Sequence, residues 1–221
     1  MVYHINFTVI WQNMPELWYG LGLDLYLAFI SLTIGCMIGL ITAFSSVSKH
    51  AFIRRLAFGY VALFRNLPIL VIVLFVYFAL PDLGVMFRFN KITSFVISLS
   101  LYAGAYLSEV FRGGLLAVPK GVVEAGMAVG LRPLQIKYYL VFPIMLRNSL
   151  PSLGNNFISL FKDTSIASVI SVPELTYYAT KITTETFRVV EAWSTAAVLY
   201  IATCYIISVV LRLLEKRYAK M

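Results

Sequence analysis

Residues 25–48 read LYLAFISLTIGCMIGLITAFSSVS, 24 consecutive positions without one Asp, Glu, Lys or Arg. About 20 apolar residues in a helix cross the hydrocarbon of a bilayer, so this stretch is a membrane span. The rest of the chain has the same character. Its 221 residues are 60% hydrophobic and 13% charged, about half the charged fraction of a soluble domain. That excludes an ordinary water-soluble enzyme, a disordered tail and a disulfide scaffold. Further spans are predicted near Phe58–Leu80, interrupted by Arg65; Thr93–Phe111; Leu150–Val172, carrying Lys162 and Asp163; and Ala192–Leu211. The expected fold is an all-α integral membrane protein of about five transmembrane helices. Residues 1–221 form a single transmembrane domain with no soluble domain. No basic segment precedes the first apolar run, which therefore reads as an uncleaved membrane helix rather than a signal peptide.

The 18 Lys and Arg against 10 Asp and Glu suggest nucleic acid until the charges are placed. Twelve of the cations fall in segments 46–57, 112–149 and 212–221; only Arg88, Lys91, Lys181 and Arg188 fall in the opposite segments. Cytoplasmic loops carry the excess of Lys and Arg. The N-terminus is therefore expected outside and the C-terminus in the cytoplasm. Cys36 and Cys204 lie singly in apolar runs, and His4 and His50 are isolated on opposite sides. No metal site is expected. Gly35 and Gly39 form a GxxxG in the first span, a spacing that suits close helix packing.

The inner loop 112–149, RGGLLAVPKGVVEAGMAVGLRPLQIKYYLVFPIMLRNS, is too long for a turn and too patterned for a linker. A short helix is expected over Val122–Val129 and a corner at Gly130. A second helix is expected over Pro133–Val141, with proline tolerated in its first turn and an end before Pro143. Two rigid helices around a corner present a docking surface at low ordering cost.

Glu124-Ala125-Gly126, then Gly130, then Leu140-Val141-Phe142-Pro143 resembles, without a gap, the EAA loop of ABC importer permeases; Gly126, Leu140 and Phe142 depart from its pattern. The blocks Gly20–Ser31, Phe64–Leu70, Tyr106–Gly121 and Leu150–Leu175 resemble the polar amino-acid uptake branch of that family, in order and over nearly the whole chain.

The resemblance implies a type I importer permease, multi-pass in a bacterial cytoplasmic (inner) membrane, working by alternating access. It implies ABC ATPase subunits as partners, with Glu124, Ala125, Gly126, Gly130 and Pro143 forming the coupling surface. A second permease chain, the same or paralogous, and an extracytoplasmic amino-acid-binding protein complete the assembly. ATP and Mg belong to the ATPases: this chain has no GxxxxGK[ST] to cradle a phosphate. No cofactor and no catalytic residue are expected in it. It is a transport subunit, not an enzyme.

Polar groups at bilayer depth are costly and point to function. Ser152, Asn156, Ser159 and Asp163 recur at i, i+4, i+7 and i+11, one helix face, flanked by Asn155 and Lys162; Ser98, Tyr102 and Glu109 share a face of the third span. Tyr102, Asn155, Asn156, Ser159, Lys162 and Asp163 are the candidate substrate path, offering donors and acceptors to a zwitterionic amino acid. Each has a structural reading too: Glu109 and Arg112 can pair at i,i+3, and asparagines can hold helices together. In relatives that import cationic amino acids the position of Asn156 can be acidic; its neutrality here favours a neutral or acidic substrate. Two other readings stay open. One is a gradient-driven secondary amino-acid carrier using Glu109 and Asp163, against which the missing inverted repeat counts. The other is a non-transporting scaffold, against which the polar faces count.

Overall fold

The computed structural model describes residues 3–83 and 88–219, with side chains as far as Glu215. Lys220 and the side chains of Lys216 and Arg217, counted above as inner cations, lie outside this range. Among the described residues all regular structure is helical. The elements are α1 (Thr8–Ser46), α2 (Ala51–Asn66), α3 (Ile69–Leu74), a π-helical turn (Phe75–Ala79), α4 (Leu80–Asp82) and α5 (Lys91–Leu116), followed by α6 (Lys120–Ala128) and α7 (Pro133–Ile136). A second π-helical turn (Lys137–Val141), α8 (Phe142–Asp163), a 3-10 helix (Thr164–Ile170), α9 (Leu175–Thr186) and α10 (Val189–Ala219) complete the chain.

Among the described residues three helices are long and apolar enough to cross a membrane: Thr8–Ser46, Lys91–Leu116 and Val189–Glu215. The span expected at Phe58–Leu80 is instead a pair, Ala51–Asn66 and Ile69–Asp82, bent by 103°. The cause is Pro68. Proline pushes the residue before it out of the helical region, and Leu67 is extended at φ −93°, ψ 135°. The span expected at Leu150–Val172 is displaced: α8 stops at Asp163 and a 3-10 helix follows, ending at Ser171 in the left-handed region. The described residues thus hold three helices of spanning length, or four with the bent pair, where about five were expected.

The first helix begins at Thr8, well before the charge-free run. Its two early acids do not face lipid unpaired. Glu16 pairs with Lys181 of α9 at 3.0 Å, and Asp24 is fully buried with protein partners described below.

The chain divides into two compact units, residues 1–32, 68–99 and 157–209 in one and residues 33–67, 100–156 and 210–221 in the other. The first has its core where α1 (Ile10, Leu17, Leu21, Ala28) meets Phe161, α9 (Leu175, Ala179, Ile182) and α10 (Ala192, Ala196). An N-terminal strap is tied to α10 in this unit. Glu191, fully buried, accepts from the Tyr3 hydroxyl and from the Asn6 amide, while Arg188 Nη1 donates to the His4 carbonyl at 2.6 Å. Glu191→Ala removes the acceptor of the Asn6 amide and the Tyr3 hydroxyl. Tyr3 and Asn6 are exposed, so their donors turn to water and the cost is the lost tie between the strap and α10. We expect a lower thermal unfolding midpoint in detergent; an unchanged midpoint would remove the strap from the stabilising contacts.

In the second unit the GxxxG packs as its spacing suggests. A Cβ on Gly35 would sit 2.8 Å from Ala103 Cβ, and one on Gly39 would sit 2.9 Å from Leu107 Cβ. Only missing side chains let α1 and α5 approach this closely. Tyr60 of α2 adds a hydrogen bond to the Leu101 carbonyl at 2.6 Å.

Candidate functional site

The loop 112–149 forms the corner its prolines and glycine suggest. Pro119 precedes α6 in extended conformation, and α6 closes at Gly130, φ +79°. The Leu131 amide donates to the Gly126 carbonyl at 3.0 Å and the Gly130 amide to the Met127 carbonyl at 3.0 Å. These two bonds make a Schellman closure, which needs a left-handed residue where glycine alone is free of strain. α7 then starts at Pro133, and the Gln135 side chain accepts from the Arg132 amide at 2.8 Å.

The second helix does not stop before Pro143, which corrects the expectation. A π-helical turn, Lys137–Val141, runs directly into α8, with the Phe142 amide bonded five residues back to Lys137. A proline cannot donate to the i−4 carbonyl and its ring crowds it. The wider turn re-registers the backbone just before Pro143, so the helix passes through it.

Glu124 and Ala125 are exposed and Gly126 is buried. A Cβ on Gly126 would meet Leu140 Cδ1 at 2.8 Å and Ile136 Cγ1 at 3.0 Å. Here the departure from EAA has a cause: the two larger side chains occupy the space of an alanine methyl. The corner also carries apolar side chains in the open, Val129 at 76% exposure and Leu134 at 78%, with Met127, Tyr138 and Tyr139 exposed beside them. Apolar surface of this kind suits contact with protein or lipid.

All of the polar face predicted on the fourth span lies on α8. Ser152, Asn155, Ser159 and Lys162 are exposed, and Asn156 and Asp163 are half-buried. Asn156 Nδ2 is engaged by the Ser152 carbonyl at 2.8 Å. Among the described residues neither Lys162 nor Asp163 makes an ion pair. The companion face on α5 is less open. Ser98 is fully buried and bonded to the Ser94 carbonyl at 2.8 Å, and Tyr102 stacks on Tyr106 with ring centroids 4.7 Å apart. Glu109 and Arg112 form the i,i+3 pair, Arg112 Nε donating at 3.0 Å, and Arg65 lies over the Tyr106 ring at 5.2 Å.

One cluster was not anticipated. Asp24 of α1 and Glu174, in the turn before α9, are both fully buried and both border the Tyr200 hydroxyl of α10 at 3.2 Å. Glu174 caps α9, accepting from the Thr176 amide at 2.7 Å and the Tyr177 amide at 2.8 Å; Asp24 Oδ2 accepts from the Leu175 amide at 3.3 Å. A signal existed: Asp24 is the last charge before the 24-residue apolar run, and Glu174 follows a proline at a helix start. Only the fold brings them together.

Comparison with known proteins gives one answer. Residues 35–220 match the family described as "Binding-protein-dependent transport system inner membrane component". The chain is 36% identical over 212 residues to the glutamine transport system permease protein GlnP of Escherichia coli (strain K12), covering 96% of this chain and 97% of that protein. It is 33% identical over 219 residues to the nopaline transport system permease protein NocM of Agrobacterium fabrum (strain C58 / ATCC 33970), covering 96% and 91%. Among solved structures, a crystal structure of an amino acid ABC transporter with histidines superposes with a TM-score of 0.89 at 32% identity, over 97% of this chain and 100% of that one.

Proposed function

The chain belongs to the family of binding-protein-dependent transport system inner membrane components and is the permease subunit of an amino-acid ABC importer in the bacterial inner membrane; from there we propose that it carries a polar amino acid with a neutral or acidic side chain. Asn156 supports this cargo. It stands on the polar face of α8 as a neutral residue, where a carboxylate would favour a cationic side chain. The glutamine permease relative agrees with the same choice.

The coupling reading rests on one observation, the exposed apolar corner closed at Gly130. We assign it to docking of a partner ATPase, with Glu124, Ala125, Gly126, Gly130 and Pro143 in or beside the contact. ATP and Mg act in that partner. Its closure on ATP would pull the corner and turn the helices outward to accept cargo from the binding protein; hydrolysis would restore the inward state. A second permease chain completes the path. The Lys and Arg distribution supports a corner in the cytoplasm and an N-terminus outside.

Extraction of the tagged chain in mild detergent tests the assembly. Mass spectrometry is expected to find a stoichiometric P-loop ATPase and to tell an identical from a paralogous second permease. A chain that comes out alone and moves solute without ATP would end the ABC reading. The path is tested separately by uptake in proteoliposomes. Asp163→Asn and Asn156→Ala are each expected to change uptake of glutamine or its competition by arginine about tenfold, the effect of one lost charged or polar contact of roughly 1.4 kcal/mol. Unchanged kinetics in both would return the α8 face to packing.

A further inference from the structure

Tyr200 stands between two carboxyl groups with too few hydrogens to serve both. Its hydroxyl oxygen is 3.2 Å from Asp24 Oδ2, 3.2 Å from Glu174 Oε2 and 3.1 Å from Thr176 Oγ1. A phenol owns one hydrogen, and an ionised carboxylate owns none. If both acids were ionised, one carboxylate oxygen would face a phenol lone pair at hydrogen-bond distance. Asp24 Oδ1 is, in addition, buried without any hydrogen-bond partner among the described residues, a costly position for half of an anion.

No positive charge pairs with either acid among the described residues. The groups facing the pair are Thr164 from the 3-10 helix, the Leu175, Thr176 and Tyr177 amides and the Thr176 hydroxyl from α9, and Tyr200 from α10. The ion pairs Arg112–Glu109, Lys181–Glu16 and Arg188–Glu191 leave both acids out.

We infer that Asp24, Tyr200 and Glu174 form a proton-binding site, in which the two carboxyl groups hold one proton between them and that proton secures the seat of α9 against α1 and α10. With the proton bound, one carboxyl donates and every oxygen around the phenol has a hydrogen to share. Without it, two like charges border one oxygen in the interior, where repulsion is least screened. Glu174 also caps α9, so α9 is the element that loses its fit.

The direction of the pH response follows. Burial first, and the facing Asp24 carboxylate second, push Glu174 up to about 8; in an unfolded chain a glutamate has lost its proton by about 4.3. Between these values the folded state holds one more proton than the unfolded state. Stability is then full below the lower value and falls as pH rises toward the upper one, by about tenfold in the folding constant per pH unit.

Infrared spectroscopy of the purified chain in detergent tests this without any transport assay, so its failure and that of the importer reading are separable. The carbonyl band of a protonated carboxyl is expected at neutral pH, titrating away near pH 8. Asp24→Asn and Glu174→Gln are each expected to move that titration down by about one unit or more, and the double variant to abolish it. The Thr176 and Tyr177 amides use different oxygens of Glu174, so Glu174→Gln keeps one of the two cap bonds, and the titration rather than the absolute unfolding midpoint is read in that variant. Thermal unfolding supplies the second measurement: the midpoint should fall with rising pH in the wild type and stay flat in the double variant. A neutral-pH spectrum without the band, a midpoint of titration unmoved in both single variants, or equal pH slopes of unfolding would each overturn the proposal.

Discussion

Gly130→Val is expected to reduce uptake by about tenfold or more while the chain still inserts and folds. At φ +79° a residue with a Cβ meets a backbone penalty of roughly 1–2 kcal/mol, and a β-branched one meets more. The effect is confined to the backbone, because a Cβ at this position would touch nothing within 4 Å. Valine escapes the strain by leaving the left-handed region, which breaks the Leu131-to-Gly126 bond and turns α7 away from α6. The exposed side chains of Val129 and Leu134 then no longer form one surface. Proteoliposomes containing the whole importer, assayed for uptake and ATP hydrolysis together, read this directly. Gly121→Val in α6 is the control, since its Cβ also meets open space and its φ is helical; it should transport normally. Normal uptake in Gly130→Val would show that coupling does not pass through this corner.

The second large effect is expected at Gly20. A Cβ there would lie 2.7 Å from the Glu174 carbonyl carbon and 2.7 Å from the Leu175 amide nitrogen. Those atoms are main chain, held by the cap and by Asp24, and cannot rotate aside as a side-chain tip would. Gly20→Val forces α1 off the turn. Overpacking against backbone should cost about 3 kcal/mol or more, enough to lower the amount of folded permease recovered from the membrane. Gly22→Val, two residues on with nothing within 4 Å, should be recovered at wild-type levels. Equal recovery of the two variants would mean that α1 does not rest on this turn.

Much of the architecture was legible from residue order alone because the bilayer is a severe solvent. A helix satisfies its own backbone, and apolar length counts directly as a span; the runs at 25–48, 93–111 and 192–211 fall on α1, α5 and α10, the first overrunning the end of α1 by two residues. The corner at Gly130 was legible for a local reason, since the left-handed closure after a short helix depends on the residue type at one position. The 103° bend at Pro68 and the helical passage through Pro143 were not. A proline can break, bend or be absorbed, and the outcome depends on whether the neighbouring turn widens or the preceding residue extends.

The sequence by itself determined that the chain lives in a membrane and that its long loop turns at Gly130. These rest on composition and on contacts within a few residues. Tertiary structure alone decided that Glu16 meets Lys181, that Gly126 rests under Leu140 and Ile136, and that Asp24, Glu174 and Tyr200 share one hydroxyl. Asp24 read as the last charge before a span, and Glu174 as a helix cap. Their joint behaviour comes from burial and from like charge at hydrogen-bond distance, and neither quantity exists until α1, α9 and α10 are packed.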